Sequence, residues 1–251
     1  MRLWVEQLTK NYGNKCILKK LDAEFRAGEA VAIVGVNGVG KTTLLECLAQ
    51  VRLPDSGRIM LDDQPIQRQR IDLRRRLFYL PGIPEPVFGT PLTYLCSTLA
   101  AFGKSLSAHT TLPEDIVELL TRFEIEQLVR QSWTSLSRGQ QYKVQIVSLL
   151  AVHPEVWLLD EPFSAGMDPL GIRLLRVAIR EAVEQRQRIV VFTTQNLEVA
   201  ARAADRVVIL HQQRIVASVP TIELLQGNSM ESLDENFEKL IRNASRATST
   251  S

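Results

Sequence analysis

Ala30-Val31-Ala32-Ile33-Val34-Gly35-Val36-Asn37-Gly38-Val39-Gly40-Lys41-Thr42-Thr43 decides how this chain folds. Its first five residues are apolar and partly β-branched, with no polar interruption, as in a strand covered on both faces. Strands of that kind belong to parallel sheets with helices on either side. The run ends in a glycine-rich bend, and Lys41–Gln50 reads as a helix. Gly35 to Thr42 fits the pattern G-x-x-x-x-G-K-[ST]. Its glycines let the backbone curl until several N–H groups face one anion, and the following helix turns its positive end to the same point. Lys41 has the reach for the terminal phosphates of a nucleotide, and the Thr42 hydroxyl suits Mg2+. The predicted binding stretch is therefore Gly35, Val36, Asn37, Gly38, Val39, Gly40, Lys41, Thr42 and Thr43, with ATP and Mg2+ as its ligands.

The flanking pattern supports a layered α/β fold. Leu3–Leu8 alternates, Gly13-Asn14 reads as a turn, and Cys16–Phe25 continues to a second turn at Ala27-Gly28-Glu29, so the first 30 residues predict antiparallel strands. Gly57–Leu61 and Leu77–Leu80 predict further strands. From about Pro84 to Val152 the pattern turns helical, over Pro91–Phe102, Pro113–Arg122 and Gly139–Val152. Strand signals return at Val156–Leu159, Ile189–Thr193 and Val207–Leu210, with helices at Pro169–Glu184 and Leu197–Ala203 between them. Such alternation predicts a parallel sheet split in sequence by a helical insert.

A second chemical element is Val156-Trp157-Leu158-Leu159-Asp160-Glu161, four apolar residues that end in two acids. A parallel strand delivers its C-terminal end to the ligand crevice. Asp160 there completes a Mg2+ site with Thr42, and Glu161 is placed to orient and deprotonate a water.

Leu136-Ser137-Arg138-Gly139-Gln140 resembles the L-S-G-G-Q signature of the ABC (ATP-binding cassette) ATPase family, and it lies between the other two motifs as it does there. The resemblance covers roughly residues 2–227. It implies an α/β fold: a P-loop NTPase parallel sheet with an antiparallel β edge layer and an inserted α-helical subdomain. The ATP-binding domain is expected over 1–227, with the helical subdomain about 84–152, and a C-terminal helix with a disordered tail over 228–251. It implies that Ser137, Gly139 and Gln140 complete the ATP site of a second copy, that Tyr12 stacks on adenine, and that Asp168 couples the two sites. It further implies an ATPase that powers a membrane export complex through ATP-driven dimerisation, either as a homodimer or with a paralogous ATPase subunit. Ser232–Leu240 resembles the closing segment of exporter-type subunits.

Two positions depart from the family. Tyr79-Leu80-Pro81-Gly82 stands where a glutamine is usual, so Gly82 offers no side chain; Glu85 is a nearby substitute. Thr193-Thr194-Gln195 stands where the family has a histidine. Gln195 can donate a hydrogen bond but carries no charge and cannot shuttle a proton. Hydrolysis by Glu161 and Gln195 is thus expected to be slow or partner-dependent, or Gln195 serves adequately. A switch or assembly subunit with weak hydrolysis is the first alternative, and a soluble ATPase acting on ribosomes or nucleic acid is the second.

Composition narrows the field. Hydrophobic residues at 45% and charged residues at 23% suit a globular protein with a sizeable core. A net charge of +2 gives no global argument for nucleic acid, and none is expected as a partner. No apolar run approaches the ~20 residues of a membrane helix, which implies a separate transmembrane permease subunit. The start of the chain lacks a signal-like apolar region, so a cytoplasmic location at the inner face of the membrane is expected. Cys16, Cys47 and Cys96 read as reduced, mostly buried residues, and His109, His153 and His211 show no metal spacing. The five arginines of Arg68–Arg76 read as a solvated face.

Overall fold

The computed structural model describes residues 1–85, 87–104, 112–164, 166–225 and 235–242. Along the chain, β1 (Arg2–Tyr12) and β2 (Lys15–Arg26) precede β3 (Glu29–Val34), α1 (Lys41–Leu48), β4 (Ser56–Leu61), β5 (Gln64–Pro65), α2 (Ile71–Arg74) and β6 (Leu77–Leu80). Three α-helices then follow with no described strand between them: α3 (Pro91–Ala101), α4 (Glu114–Arg122) and α5 (Arg138–Val152). The alternating half resumes with β7 (Val156–Leu159), α6 (Pro169–Glu184), β8 (Ile189–Thr194), α7 (Leu197–Ala203), β9 (Arg206–His211), β10 (Arg214–Pro220) and α8 (Thr221–Leu224).

The strands form two sheets, one of order β2-β1-β4-β5 and one of order β10-β9-β3-β8-β7-β6. Pairing in the first is antiparallel, and in the second it is parallel except between β9 and β10. The uninterrupted apolar runs explain the second sheet. In β3, Ala30, Ala32 and Val34 enter one core while Val31 and Ile33 enter another. Trp157 and Leu159 of β7 likewise oppose Val156 and Leu158, and Val190 and Phe192 of β8 oppose Ile189 and Val191. A polar residue at any of these positions would face a core, whichever way the strand turned. The four-stranded sheet and α1 cover one face, and α5, α6 and α7 cover the other.

β10 and β5 carry little signal in the sequence. β9 and β10 join through Gln212 and Gln213, both at positive φ (45° and 69°), where glycine or asparagine is the usual marker of a hairpin. β5 has two residues. Among the cysteines, Cys47 is buried whereas Cys16 and Cys96 are half-buried, a lower burial than expected; all three thiols are free. The arginine run is tied by local charge pairs: Arg70 meets Asp72, and Arg76 bridges Asp62 and Glu155 at 2.7 Å each. A helix over 235–242 packs Phe237, Leu240 and Ile241 on the core. The tail 243–251, residues 228–234 and His109 lie outside the described residues. Among the described residues, no helix is long and apolar enough to cross a membrane.

Candidate functional site

The register of the parallel strands sets where the chemistry gathers. Val34 stands beside Thr194, and Leu159 beside Phe192, so the bend after β3, the acids after β7 and the residues after β8 emerge along one edge of the sheet. Gly38 (φ 77°) and Gly40 (φ 113°) occupy left-handed conformations that favour glycine. At Gly35 the constraint is space: a Cβ would come within 2.4 Å of the Leu210 carbonyl oxygen. α1 begins at Gly40 with no side-chain cap and no acid in its first turn. Its leading amides therefore remain available to an outside acceptor, which is what a phosphate requires.

Lys41 is 6% exposed and donates from Nζ to the Gly35 carbonyl at 2.8 Å and to that of Val36 at 3.4 Å, with Glu161 Oε1 at 3.5 Å. Asp160, also 6% exposed, is held from both sides. Thr42 Oγ1 donates to its Oδ2 at 2.8 Å, and Thr193 Oγ1 donates to its Oδ1 at 2.6 Å. Thr193 Oγ1 also accepts the Glu161 amide at 2.8 Å. Glu161 has φ 44°, an uncommon conformation for a non-glycine residue and one that clusters at functional sites. Beneath these acids, Tyr142 is fully buried; burial first, and then the charges of Asp160, Tyr79 and Glu161, keep its phenol protonated.

Two hollows meet at Thr42 and Glu161. One, of about 220 Å3, is the cradle itself, formed by Asn37, Gly38 and Gly40–Thr43 with Ile17. The other, of about 460 Å3, has Thr42, Asp160 and Glu161 on one side and Gly82–Pro84 with Arg138 opposite. The oxygen donors Thr42 and Asp160 form the sparse hard set that suits Mg2+ shared with phosphates. No group of three or more His, Cys, Asp or Glu that could hold a metal occurs among the described residues.

The remaining candidates fall at varied distances from these hollows. Tyr12 lines neither; it is 41% exposed, and its ring lies under Arg52 Cζ at 5.4 Å and Lys10 Nζ at 5.8 Å. Ile17, which carries no motif, reaches the cradle instead. Ser137 and Gln140 cap α5 reciprocally: Ser137 Oγ accepts the Gln140 amide at 3.2 Å, and Gln140 Oε1 accepts the Ser137 amide at 2.9 Å. Gly139 lies so close to Gly166 that a Cβ would meet its carbonyl oxygen at 2.5 Å. Arg138, unremarked in the sequence, is the signature residue that lines the cleft. Asp168 caps α6 through the Gly171 amide at 2.7 Å, and Lys143 Nζ at 2.6 Å holds its carboxyl below the usual range. Gln195 is exposed just after β8, and its side chain has no hydrogen-bond partner among the described residues. Gly82 lines the cleft, whereas Glu85 is exposed and does not.

The ABC transporter family profile matches residues 18–164, from β2 through the cradle, the signature and the acidic pair. This chain belongs to the ABC transporter family. The energy-coupling factor transporter ATP-binding protein EcfA2 of Clostridium perfringens is 32% identical, over 91% of this chain and 78% of the relative. The sulfate/thiosulfate import ATP-binding protein CysA of Caulobacter vibrioides is 33% identical, over 86% of this chain and 63% of its own length. A solved structure of cbiO1 from Clostridium perfringens, described as part of the ABC transporter complex cbiONQ, superposes with a TM-score of 0.70 at 26% identity, covering 98% of each chain. The ABC chain described here is an ATP-binding subunit of a membrane transporter, and an ATPase by family. Action on ribosomes or nucleic acid finds no support in these relatives.

Proposed function

We propose that the ABC cassette spans residues 1–227, binds ATP with Mg2+ between the cradle and the acidic pair, and hydrolyses it to drive a separate permease. The observation that carries this reading is the clamp on Asp160 by the Thr42 and Thr193 hydroxyls, with Glu161 placed 3.5 Å from Lys41. Thr42 and Asp160 would hold Mg2+, which when bound offsets phosphate charge. The cradle amides and Lys41 bind and orient the phosphates. Glu161, its amide fixed by Thr193, positions a water and takes its proton. Ser137, Gly139 and Gln140 lie at the head of α5, a placement compatible with completing the site of a second copy. Tyr12, at the end of β1, remains the candidate for adenine contact.

The absence of a membrane-crossing helix among the described residues and the cbiONQ membership of a similar protein support a peripheral subunit at the inner face of the membrane. Ile83, 74% exposed beside the cleft, and Phe88, fully exposed, supply apolar surface for that partner. Export is the direction the family resemblance suggests, while CysA carries import in its name.

A steady-state ATPase assay with matched nucleotide-binding measurements tests this. Lys41→Ala is expected to lose ATP affinity. Glu161→Gln is expected to keep ATP affinity, lose turnover and accumulate an ATP-bound dimer; unchanged turnover would remove Glu161 from its role. A second reading, a slow ATP-dependent switch, is favoured by Gln195 standing exposed, its side chain unpaired among the described residues, where the family has histidine.

A further inference from the structure

A cavity of about 130 Å3 lies at the other end of the parallel strands, where β7 and β8 begin. Helices α4 and α5 wall it on one side and α6 on the other. Its floor is apolar, with Phe123, Trp157 and Leu174 at 1%, 2% and 8% exposure. Its rim is cationic, made by Arg122, Arg186 and Arg188. Among the described residues none of these three guanidiniums is ion-paired, and Glu181, which also lines the cavity, is paired with none of them.

Two of them meet uncharged rings instead. Arg186 Nη1 lies 2.9 Å from His153 Nδ1, and Arg188 Cζ stands 5.9 Å from the centroid of the Trp157 ring. An imidazole nitrogen that accepts from a guanidinium must be unprotonated. Consistently, burial and then the charges of Lys104, Arg186 and Arg188 lower His153 to about 4. Burial, followed by Arg186, also shifts Arg188 downward, with Glu155 offsetting only part of the effect. Like charges gathered round an apolar hollow oppose one another, and an anion reverses the sign of that interaction. Apolar walls with a few convergent polar groups are the usual make-up of a small-molecule site. At ~10–15 Å3 of such volume for each water-sized sphere, the hollow takes roughly ten heavy atoms.

We propose that this cavity binds an amphipathic organic anion, its apolar body on Phe123 and Trp157 and its acidic headgroup against Arg122, Arg186 and Arg188. The walls belong both to the helical stretch and to α6 on the sheet, so an occupant bridges the two.

The test is calorimetric titration of the full chain with benzoate, hexanoate and inorganic phosphate, followed in parallel by tryptophan fluorescence. Saturable binding of benzoate or hexanoate is expected, with phosphate alone at least tenfold weaker. Arg122→Ala combined with Arg186→Ala, both exposed positions, should weaken it tenfold or more. Ala178→Met should block it by filling the cavity while leaving the charges in place, and Lys41→Ala should leave it unchanged. Absence of saturable binding overturns the proposal. So does binding that survives these cavity variants, phosphate binding equally well, or loss of binding in Lys41→Ala, which would place the anion at the nucleotide cradle.

Discussion

The Thr193 hydroxyl donates to Asp160 Oδ1 across 2.6 Å in a site where both residues are buried. The same oxygen accepts the Glu161 amide. One side chain at the end of β8 thus fixes both acids at the end of β7, and it does so from the neighbouring strand of a parallel pair. Such rigid placement suits the metal-binding and water-activating roles proposed for Asp160 and Glu161.

Thr193→Val keeps the shape and the β-branch but removes the hydroxyl. Asp160 then loses one buried donor and the Glu161 amide loses its acceptor. Leaving buried polar groups unsatisfied costs about 1–3 kcal/mol, so the urea midpoint should fall with an unchanged slope. Turnover should drop at least about tenfold through misplacement of Glu161, with ATP affinity less affected. Unaltered turnover would show that Glu161 does not need this anchor.

Gly82 lies against the Asp160 carbonyl, where a Cβ would come within 2.8 Å. The missing glutamine therefore reflects more than a lost side chain, since a Cβ at this position requires the backbone at Asp160, just after β7, to shift. Gly82→Ala should cost about 1–3 kcal/mol through overpacking. Gly82→Gln, which restores the family residue, should lower turnover rather than raise it, because the side chain enters by displacing Asp160. A rise in ATPase rate for Gly82→Gln in a steady-state assay would refute this.

Legibility followed the strength of local rules. The β3–α1 unit is readable because an uninterrupted apolar strand, three glycines and a helix start all agree with one another. α5 is readable from its capping pair Ser137 and Gln140, whose reciprocal bonds set its start one residue before the predicted Gly139. The β9–β10 hairpin is not, since Gln212 and Gln213 adopt positive φ without the residues that announce it. Arg138 and Ile17 reach the site through tertiary placement, which no spacing rule reports. Gln195 is legible as a departure, but its exposure is not, because that depends on where the chain turns after β8.

Gln195 stands at the same strand edge as Asp160 and Glu161, yet its side chain bonds to none of the described residues. Restoring a positioned, chargeable donor near the phosphates should recover part of what one such group contributes, about 10²–10³ in rate. Gln195→His is therefore expected to raise turnover at least about tenfold, with a new pH dependence near neutrality from the imidazole. A rate equal to or below that of the parent would mean that glutamine already serves the site, and that hydrolysis is limited elsewhere.

His153 gives a pH prediction that is independent of catalysis. It ends α5 in the left-handed conformation (φ 57°, ψ 49°), and burial followed by nearby cations lowers it from 6.5 to about 4. Between those values the unfolded chain binds a proton that the folded chain refuses, so stability rises with pH across the window. On acidification the penalty begins near pH 6.5 and is complete below about 4. Asparagine tolerates the same backbone and does not titrate, so His153→Asn should preserve the helix end while flattening the stability–pH slope in this window. Urea midpoints at intervals from pH 4.5 to pH 7 read the difference between the two proteins; parallel curves would mean that His153 titrates as freely in the fold as out of it.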